Sequence, residues 1–130
     1  MAGYVTNIEE KTLENDRFRE VLFTAPGIQL VLMTIGVGEE IGLETHDDVD
    51  QFIRVEAGEG VAILDGEEHP LRDGSAVVIP AGTKHNVVNR SRGEALKLYT
   101  IYSPPEHADG TVHRTKAEAD AHEREHHAGR

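Results

Sequence analysis

The sequence predicts a single all-β domain, a small barrel or sandwich of short strands that ends in a short helix. With 130 residues, the chain is long enough to bury one hydrophobic core and too short for two domains. Short β-rich runs recur along it, with a turn signal about every 8–12 residues. Strands and helices do not alternate, so the pattern does not indicate a parallel α/β sheet.

The first two strands are predicted at residues 18–24 and 29–35, on either side of a proline–glycine turn. In the second strand the side chains on both alternating faces are apolar. A strand of this kind is covered on both faces, so we expect a packed sandwich or a subunit interface there. Residues 1–16 are mixed and polar, with Val5 and Ile8 as contacts for a short edge strand.

Further strands follow through the middle and last parts of the chain. They are predicted at residues 43–46, 51–55, 61–64, 67–71, 76–79, 85–88 and 96–102. Asp65–Gly66 is the best hairpin signal in the chain, because both residues tolerate positive φ. Pro70 limits its strand to a sheet edge, since proline has no N–H to donate to a neighbouring strand.

The chain changes character after residue 103. Two prolines precede a polar loop, and Thr115 and Glu118 form a capping box that starts a helix to about His126. Alanines are the only apolar residues of that helix, so we expect it to pack weakly or to fray. Within the one domain, residues 1–35 provide N-terminal strands and dimer contacts, residues 36–103 the core with the candidate site, and residues 104–130 the C-terminal loop and helix or tail.

Composition excludes several kinds of partner. The formal net charge of -11 opposes binding to nucleic acid and to anionic membranes, whose phosphates would be repelled. No apolar run reaches the length of a membrane span, and the N-terminus lacks the layout of a signal peptide. The chain has no cysteine, which rules out disulfides and thiolate ligands. We expect a cytoplasmic protein.

Four side chains form a candidate metal site. Glu44 and His46 lie two apart on a predicted strand and therefore point to the same side. Gln51 begins the next strand after a short acidic loop, so a hairpin can return it beside His46. His85 follows a rigid Pro-Ala-Gly turn, which fixes a ligand from a distant strand. We expect these four side chains to bind one metal ion inside the barrel.

The donor set is one carboxylate, two imidazoles and one amide oxygen. Two histidines and a carboxylate with open positions are the ligands of non-haem Fe(II) sites, and Mn, Co and Ni would also fit. Zn also binds comparable sets. On an octahedral metal, four protein ligands leave two positions for water, substrate or dioxygen.

At these positions the chain resembles a single-domain cupin. The spacing of the first cupin motif is matched by Gly38, Glu44, His46, Gln51 and Gly58. The spacing of the second motif is matched by Gly74, Pro80, Gly82, His85 and Asn89. The resemblance implies a double-stranded β-helix, or jelly-roll, barrel that holds one divalent transition metal through the same four residues.

The chain departs from the family pattern at two ligand positions. The first histidine of the motif is Glu44 here, and its glutamate is Gln51. The carboxylate has therefore changed places, while the ligand set keeps a single negative charge if both histidines are neutral. The same glutamine occurs in small cupins that act on sugar-derived uronates, and other small cupins are dioxygenases or isomerases.

Two functional hypotheses follow. The first is a metalloenzyme, a dioxygenase or a lyase/isomerase, acting on a small oxygen-rich molecule, with Glu44 as a base if it detaches from the metal. The alternative is a non-catalytic, metal-dependent module that binds a small molecule. We also expect a homodimer, with Phe52, which points away from Gln51, at a sheet or dimer contact.

The remaining histidines have simpler interpretations. His122 and His126 lie four apart on the predicted helix and could form a surface metal pair, but their place at the chain end favours a solvated tail. His107 and His113 lie in a loop that could cover the barrel mouth, where structural or exposed roles are favoured.

Overall fold

Two antiparallel sheets form the body of the protein in a computed structural model, which describes residues 2–128 and the side chains as far as Arg124. Within that range the elements are α1 (Ile8–Glu14), β1 (Arg19–Ala25), β2 (Ile28–Ile35), β3 (Asp50–Ala57), β4 (Gly60–Leu64), β5 (Glu67–Leu71), β6 (Ala76–Ile79), β7 (His85–Val88), β8 (Leu96–Ser103), β9 (Val112–His113) and α2 (Lys116–Ala128). The larger sheet has six strands in the order β6-β3-β8-β2-β1-β9, and the smaller has three in the order β5-β4-β7.

The core lies between the two sheets. Alternate residues of β3 and β8 point inward, and each fully buried aliphatic side chain contributes about 1.5–3 kcal/mol relative to exposure. The fully buried aliphatic residues on the inward face of the larger sheet are Val31, Met33, Ile35, Ile53, Val55, Ile79, Leu96 and Leu98. Ala62 and Val87 meet them from the smaller sheet. This pattern confirms the all-β prediction.

Turns with positive φ angles lie where the sequence predicts them. Asp65 and Gly66 have φ angles of 48° and 85°, as a two-residue hairpin between β4 and β5 requires. Gly58 has φ of 89°, and a Cβ there would lie 2.3 Å from the carbonyl oxygen of Ala95. Pro70 lies on β5, which is an edge strand as predicted.

The N-terminal segment differs from the prediction, because it forms a helix and not an edge strand. Asn7 caps α1 by accepting a hydrogen bond from Glu10 N at 3.0 Å. At the other end, Lys97 Nζ donates to the carbonyl oxygens of Leu13 and Asn15 at 2.7 and 2.8 Å. The helix packs on β2, β3 and β8, and Leu32, on the outward face of β2, is buried. This cover explains the two apolar faces of β2.

Two other boundaries differ from the predictions. Residues 43–46 do not form a strand, since Glu44 alone makes an isolated bridge, to His85. The short strand β9, which pairs with β1, lies in the segment predicted as loop.

The capping box is present, with Thr115 Oγ1 accepting from Glu118 N at 3.1 Å, and α2 runs from Lys116 to Ala128. No helix among the described residues is long and apolar enough to cross a membrane.

Candidate metal centre

Backbone pairing brings Glu44 and His85 together. Glu44 N donates to His85 O at 2.9 Å, and His85 N donates to Glu44 O at 2.8 Å. Residues paired in this way carry neighbouring side chains on one face. His46, two residues further, places its Nε2 3.4 Å from Glu44 Oε2, and its ring centroid lies 5.2 Å from that of His85. The structure therefore groups three of the four predicted ligands.

Gln51 lies beside Tyr102, whose ring borders this group. The two residues are register partners on β3 and β8, and the Tyr102 ring lies 6.2 Å from the ring of His46. The amide nitrogen of Gln51 donates to Thr100 Oγ1 at 3.0 Å. Its amide oxygen is buried and has no hydrogen-bond partner among the described residues. A buried acceptor without a donor is costly, and a bound cation would satisfy it.

Both histidines hold their Nδ1 atoms against oxygen acceptors. His85 Nδ1 lies 2.9 Å from the carbonyl oxygen of Thr83, and His46 Nδ1 lies 3.3 Å from Glu106 Oε2. A neutral imidazole carries one N–H. When that hydrogen is on Nδ1, Nε2 presents its lone pair, which is the usual arrangement of metal-binding histidines.

Glu106 is a site residue that the sequence analysis did not identify. It lies in the loop after β8, outside both motifs, and its carboxylate contacts His46. Burial raises the pKa of Glu106, the charge of His46 opposes that rise, and the nearby carboxylates of Glu44 and Asp48 add to it. Only its position beside His46 in the folded chain could have revealed it.

Neutral groups stand beside this carboxylate at the barrel mouth. Burial raises the pKa of Tyr102 well above its ordinary value. Burial, followed by the charge of Arg19, lowers the pKa of His107 to about 3. The two rings meet edge to face with centroids 5.1 Å apart, and His107 Nε2 lies 3.4 Å from the Tyr102 hydroxyl. Both side chains are therefore uncharged near neutral pH.

A second histidine pair links β9 to α2. His113 Nε2 lies 2.8 Å from His122 Nδ1, and His113 Nδ1 lies 3.2 Å from Arg19 Nη1. Arginine can only donate, so His113 Nδ1 accepts and its Nε2–H donates to His122. The lone pair of His113 is thus already used, and the pair docks the helix. The side chain of His126 lies outside the described residues, so the predicted His122–His126 pair is not described.

The four predicted ligands fit a divalent transition metal in donor chemistry. They offer one carboxylate, two imidazole nitrogens and a buried amide oxygen without a donor. Among the side chains that the structure describes, as far as Arg124, no group of three or more histidine and carboxylate side chains already has the arrangement of a metal site. The fit therefore rests on the chemical types of these donor atoms, and not on a metal-binding geometry that is already in place.

Comparison with known proteins agrees with this architecture. Residues 31–102 match the family described as Cupin domain. The uncharacterized protein YrkC of Bacillus subtilis is 48% identical over 126 residues, which are 92% of this chain and 67% of that protein. The crystal structure of BH2720 from Bacillus halodurans is 47% identical, with a TM-score of 0.89 over 92% of this chain and 95% of that one.

One relative has a named activity. Quercetin 2,3-dioxygenase of Bacillus subtilis is 36% identical over 73 residues, which are 56% of this chain and 22% of that protein. The family match spans more than half of the chain and contains all four predicted ligands. The paired sheets, the two motifs and these similarities lead to one conclusion, that the chain belongs to the cupin family.

Proposed function

We propose that this cupin binds one divalent transition metal through Glu44, His46, Gln51 and His85. In this proposal it is a metalloenzyme for a small oxygen-rich molecule, either a dioxygenase or a lyase/isomerase. The metal would be Fe, Mn, Ni, Co or Zn, which this donor set accepts. When bound, it supplies Lewis-acid chemistry and, for the redox-active metals, redox chemistry.

The buried amide oxygen of Gln51 is the observation that carries the proposal. Gln51 is only 4% exposed, and its oxygen has no donor among the described residues, although its nitrogen is bonded to Thr100. An unpaired buried acceptor costs about 1–3 kcal/mol. A buried polar atom without a partner calls for an explanation, and a bound metal ion would supply one here.

The chain's own residues have separate roles around the metal. His46 and His85 bind through Nε2 while their Nδ1 atoms are held by oxygen acceptors. Glu44 supplies the only charged ligand, or acts as a base if it leaves the metal. Tyr102 and His107, both uncharged, border the site and favour a substrate with neutral hydroxyl or carbonyl oxygens over a strongly ionic one.

We rank the dioxygenase reaction first among the candidates, because one relative with a named activity is a dioxygenase. The quercetin dioxygenase of Bacillus subtilis shares 36% identity over 73 residues with this chain, a level that supports a related site. Quercetin is therefore the first substrate to assay. The net charge of -11 continues to favour a small molecule over nucleic acid or an anionic membrane as the partner.

Elemental analysis of purified protein tests the metal site. We expect near-stoichiometric Fe, Mn, Ni, Co or Zn in the wild type, and its loss in Gln51→Ala and in His85→Ala. His69→Ala is the control, because His69 lies on the edge strand β5 beside Glu67, away from the site. A wild type that stays metal-free after reconstitution, or retention of metal in both site variants, contradicts the proposal.

Oxygen consumption with the reconstituted protein then separates the functions. Turnover of quercetin, lost in His85→Ala, supports the dioxygenase. With Zn bound and no oxygen consumed, lyase and isomerase assays on small hydroxylated substrates follow. Saturable binding of a small molecule without turnover in any of these assays identifies the alternative, a metal-dependent binding module.

A further inference from the structure

The imidazole of His46 lies between two carboxylates. Glu106 Oε2 is 3.3 Å from its Nδ1, and Glu44 Oε2 is 3.4 Å from its Nε2. Both carboxylates can accept a hydrogen bond, but a neutral imidazole has one N–H to give. The two carboxylates therefore compete for a single ring N–H. The ring nitrogen that does not carry this hydrogen keeps a free lone pair.

The outcome matters because Nε2 is the nitrogen on the metal side. If the proton stays on Nδ1, beside Glu106, then Nε2 can bind a cation next to Glu44. If the proton moves to Nε2, beside Glu44, that nitrogen cannot bind a metal. His85 avoids the competition, since its Nδ1 lies 2.9 Å from the Thr83 carbonyl, a backbone acceptor. His46 has no equivalent backbone acceptor among its described contacts and depends on Glu106.

Glu106 is held in place by an anchored loop. The amide oxygen of Gln29 accepts from the backbone N–H groups of Glu106 and His107 at 3.2 and 3.0 Å. Its amide nitrogen donates to His107 O at 2.8 Å and to Thr24 Oγ1 at 3.0 Å. Gln29 lies on β2 and is completely buried. The loop is thus bonded to the sheet through backbone groups, which remain when the Glu106 side chain is replaced.

We propose that Glu106 is a positioning residue that keeps the proton of His46 on Nδ1 and so leaves Nε2 free for the metal. This inference rests on the proposed metal function, and it assigns to the loop after β8 a role in setting metal affinity. Outer carboxylates that orient a ligating histidine typically change metal affinity by about 10–100-fold when removed.

The test compares the wild type with Glu106→Ala in two measurements. In metal-free protein at alkaline pH, where imidazole is neutral, ring 15N NMR reports the His46 tautomer. We expect the fraction of Nε2–H to rise in Glu106→Ala. In the second measurement, chelator competition with Co²⁺ gives the affinity, and we expect a loss of about 10–100-fold.

Matched variants separate this role from general effects. Glu67→Ala removes a carboxylate 3.7 Å from His69 on the exposed edge of the small sheet, and we expect no change in either measurement. Glu106→Gln keeps an acceptor oxygen without the charge, so its Co²⁺ affinity should lie between those of the wild type and Glu106→Ala.

The outcomes distinguish this inference from the proposed function. An unchanged tautomer in Glu106→Ala overturns the positioning role, even if affinity falls, because Glu106 would then act on the metal by another route. Unchanged Co²⁺ affinity overturns it as well. If the tautomer shifts in Glu106→Ala but the wild type takes up no Co²⁺, the proposed metal function is overturned. The purpose assigned to Glu106 is then overturned with it.

Discussion

Two buried glutamines share one cross-strand row of the larger sheet. Gln29 and Gln51 are both register partners of Tyr102, from opposite sides, and both side chains point into the core. Both the amide nitrogen and the amide oxygen of Gln29 are hydrogen-bonded, which makes it a structural anchor. The amide oxygen of Gln51 has no donor among the described side chains and backbone groups. The same residue type in the same row thus has two roles, and hydrogen bonding separates them.

This difference predicts effects of different size for the same substitution at the two positions. Gln29→Met removes all four hydrogen bonds of the loop anchor and leaves its partners unpaired, so the free energy of unfolding should fall by more than about 2 kcal/mol. Gln51→Met removes one hydrogen bond together with an unpaired oxygen, so metal-free stability should stay within about 1 kcal/mol of the wild type. Urea unfolding of the metal-free proteins measures both values.

The same titrations repeated with metal complete the test. Metal at about 100 times its Kd should stabilise the wild type by about 2.7 kcal/mol and Gln51→Met by much less. Equal metal-dependent stabilisation of the wild type and Gln51→Met would show that the Gln51 oxygen is not a ligand.

The loop between β8 and β9 is the element that completes the site. It carries Glu106 and His107, and Gln29 fixes its backbone to β2. The loop also buries the ring of His107 in its uncharged form, because burial and the charges of Arg19 and His113 oppose its protonation. Attachment of this loop should therefore depend on pH.

We expect stability to fall as the pH drops below about 6.5, the ordinary pKa of histidine. The folded chain holds the pKa of His107 at about 3, so between these values the unfolded chain binds more protons. The free energy of unfolding then decreases with falling pH, by at most about 1.4 kcal/mol per pH unit for this group. Burial also lowers the pKa of His113, which acts in the same direction.

His107→Phe isolates this contribution, because phenylalanine keeps the edge contact with Tyr102 and does not titrate. Urea unfolding at about pH 7 and about pH 4.5 should show a smaller loss of stability on acidification for the variant than for the wild type. Equal losses in the two proteins would mean that His107 does not contribute. His69→Phe, on the edge strand β5, controls for the loss of a histidine.

At the scale of the whole molecule, the outward face of the larger sheet carries an uncharged row. Its members are register neighbours across five strands, namely Phe23, Leu30, Ile101, Phe52 and Val78. The side chain of Phe52 stacks on Tyr99, and Val78 is 69% exposed. With a net charge of -11, two copies repel each other over most of their surfaces, so this row is where they approach at least cost.

We therefore expect a homodimer built on this face, as the sequence predicts for Phe52. Light scattering after size-exclusion chromatography should give twice the mass of the chain. Val78→Glu should shift the protein to the monomer, because it places a charge in the apolar contact. Val37→Glu is the matched control, because it makes the same substitution at a valine that is 50% exposed and lies outside the row. It should leave the mass unchanged. A monomeric wild type would show that the expectation is wrong.

Local patterns in the sequence determined most of the strands and the two cupin motifs. Alternating side chains, the Asp65–Gly66 turn and the spacing around His46 and His85 are short-range properties, since each depends on neighbouring residues and their backbone angles. They predicted the all-β fold and the grouping of Glu44, His46 and His85. They also suggested an edge strand in the N-terminal segment, which forms α1 instead. The conformation of that segment depends on its packing against β2, β3 and β8, which local patterns do not contain.

Only the tertiary structure decided which groups are paired. The sequence contains Gln29 and Gln51 as two similar polar residues, and nothing near either one shows that the first is bonded and the second lacks a donor for its oxygen. Likewise, Glu106 lies far along the chain from His46 and contacts it in the folded chain, where Gln29 fixes the loop that carries Glu106. Hydrogen bonds between distant residues depend on the relative positions of whole strands, and no local pattern encodes those positions.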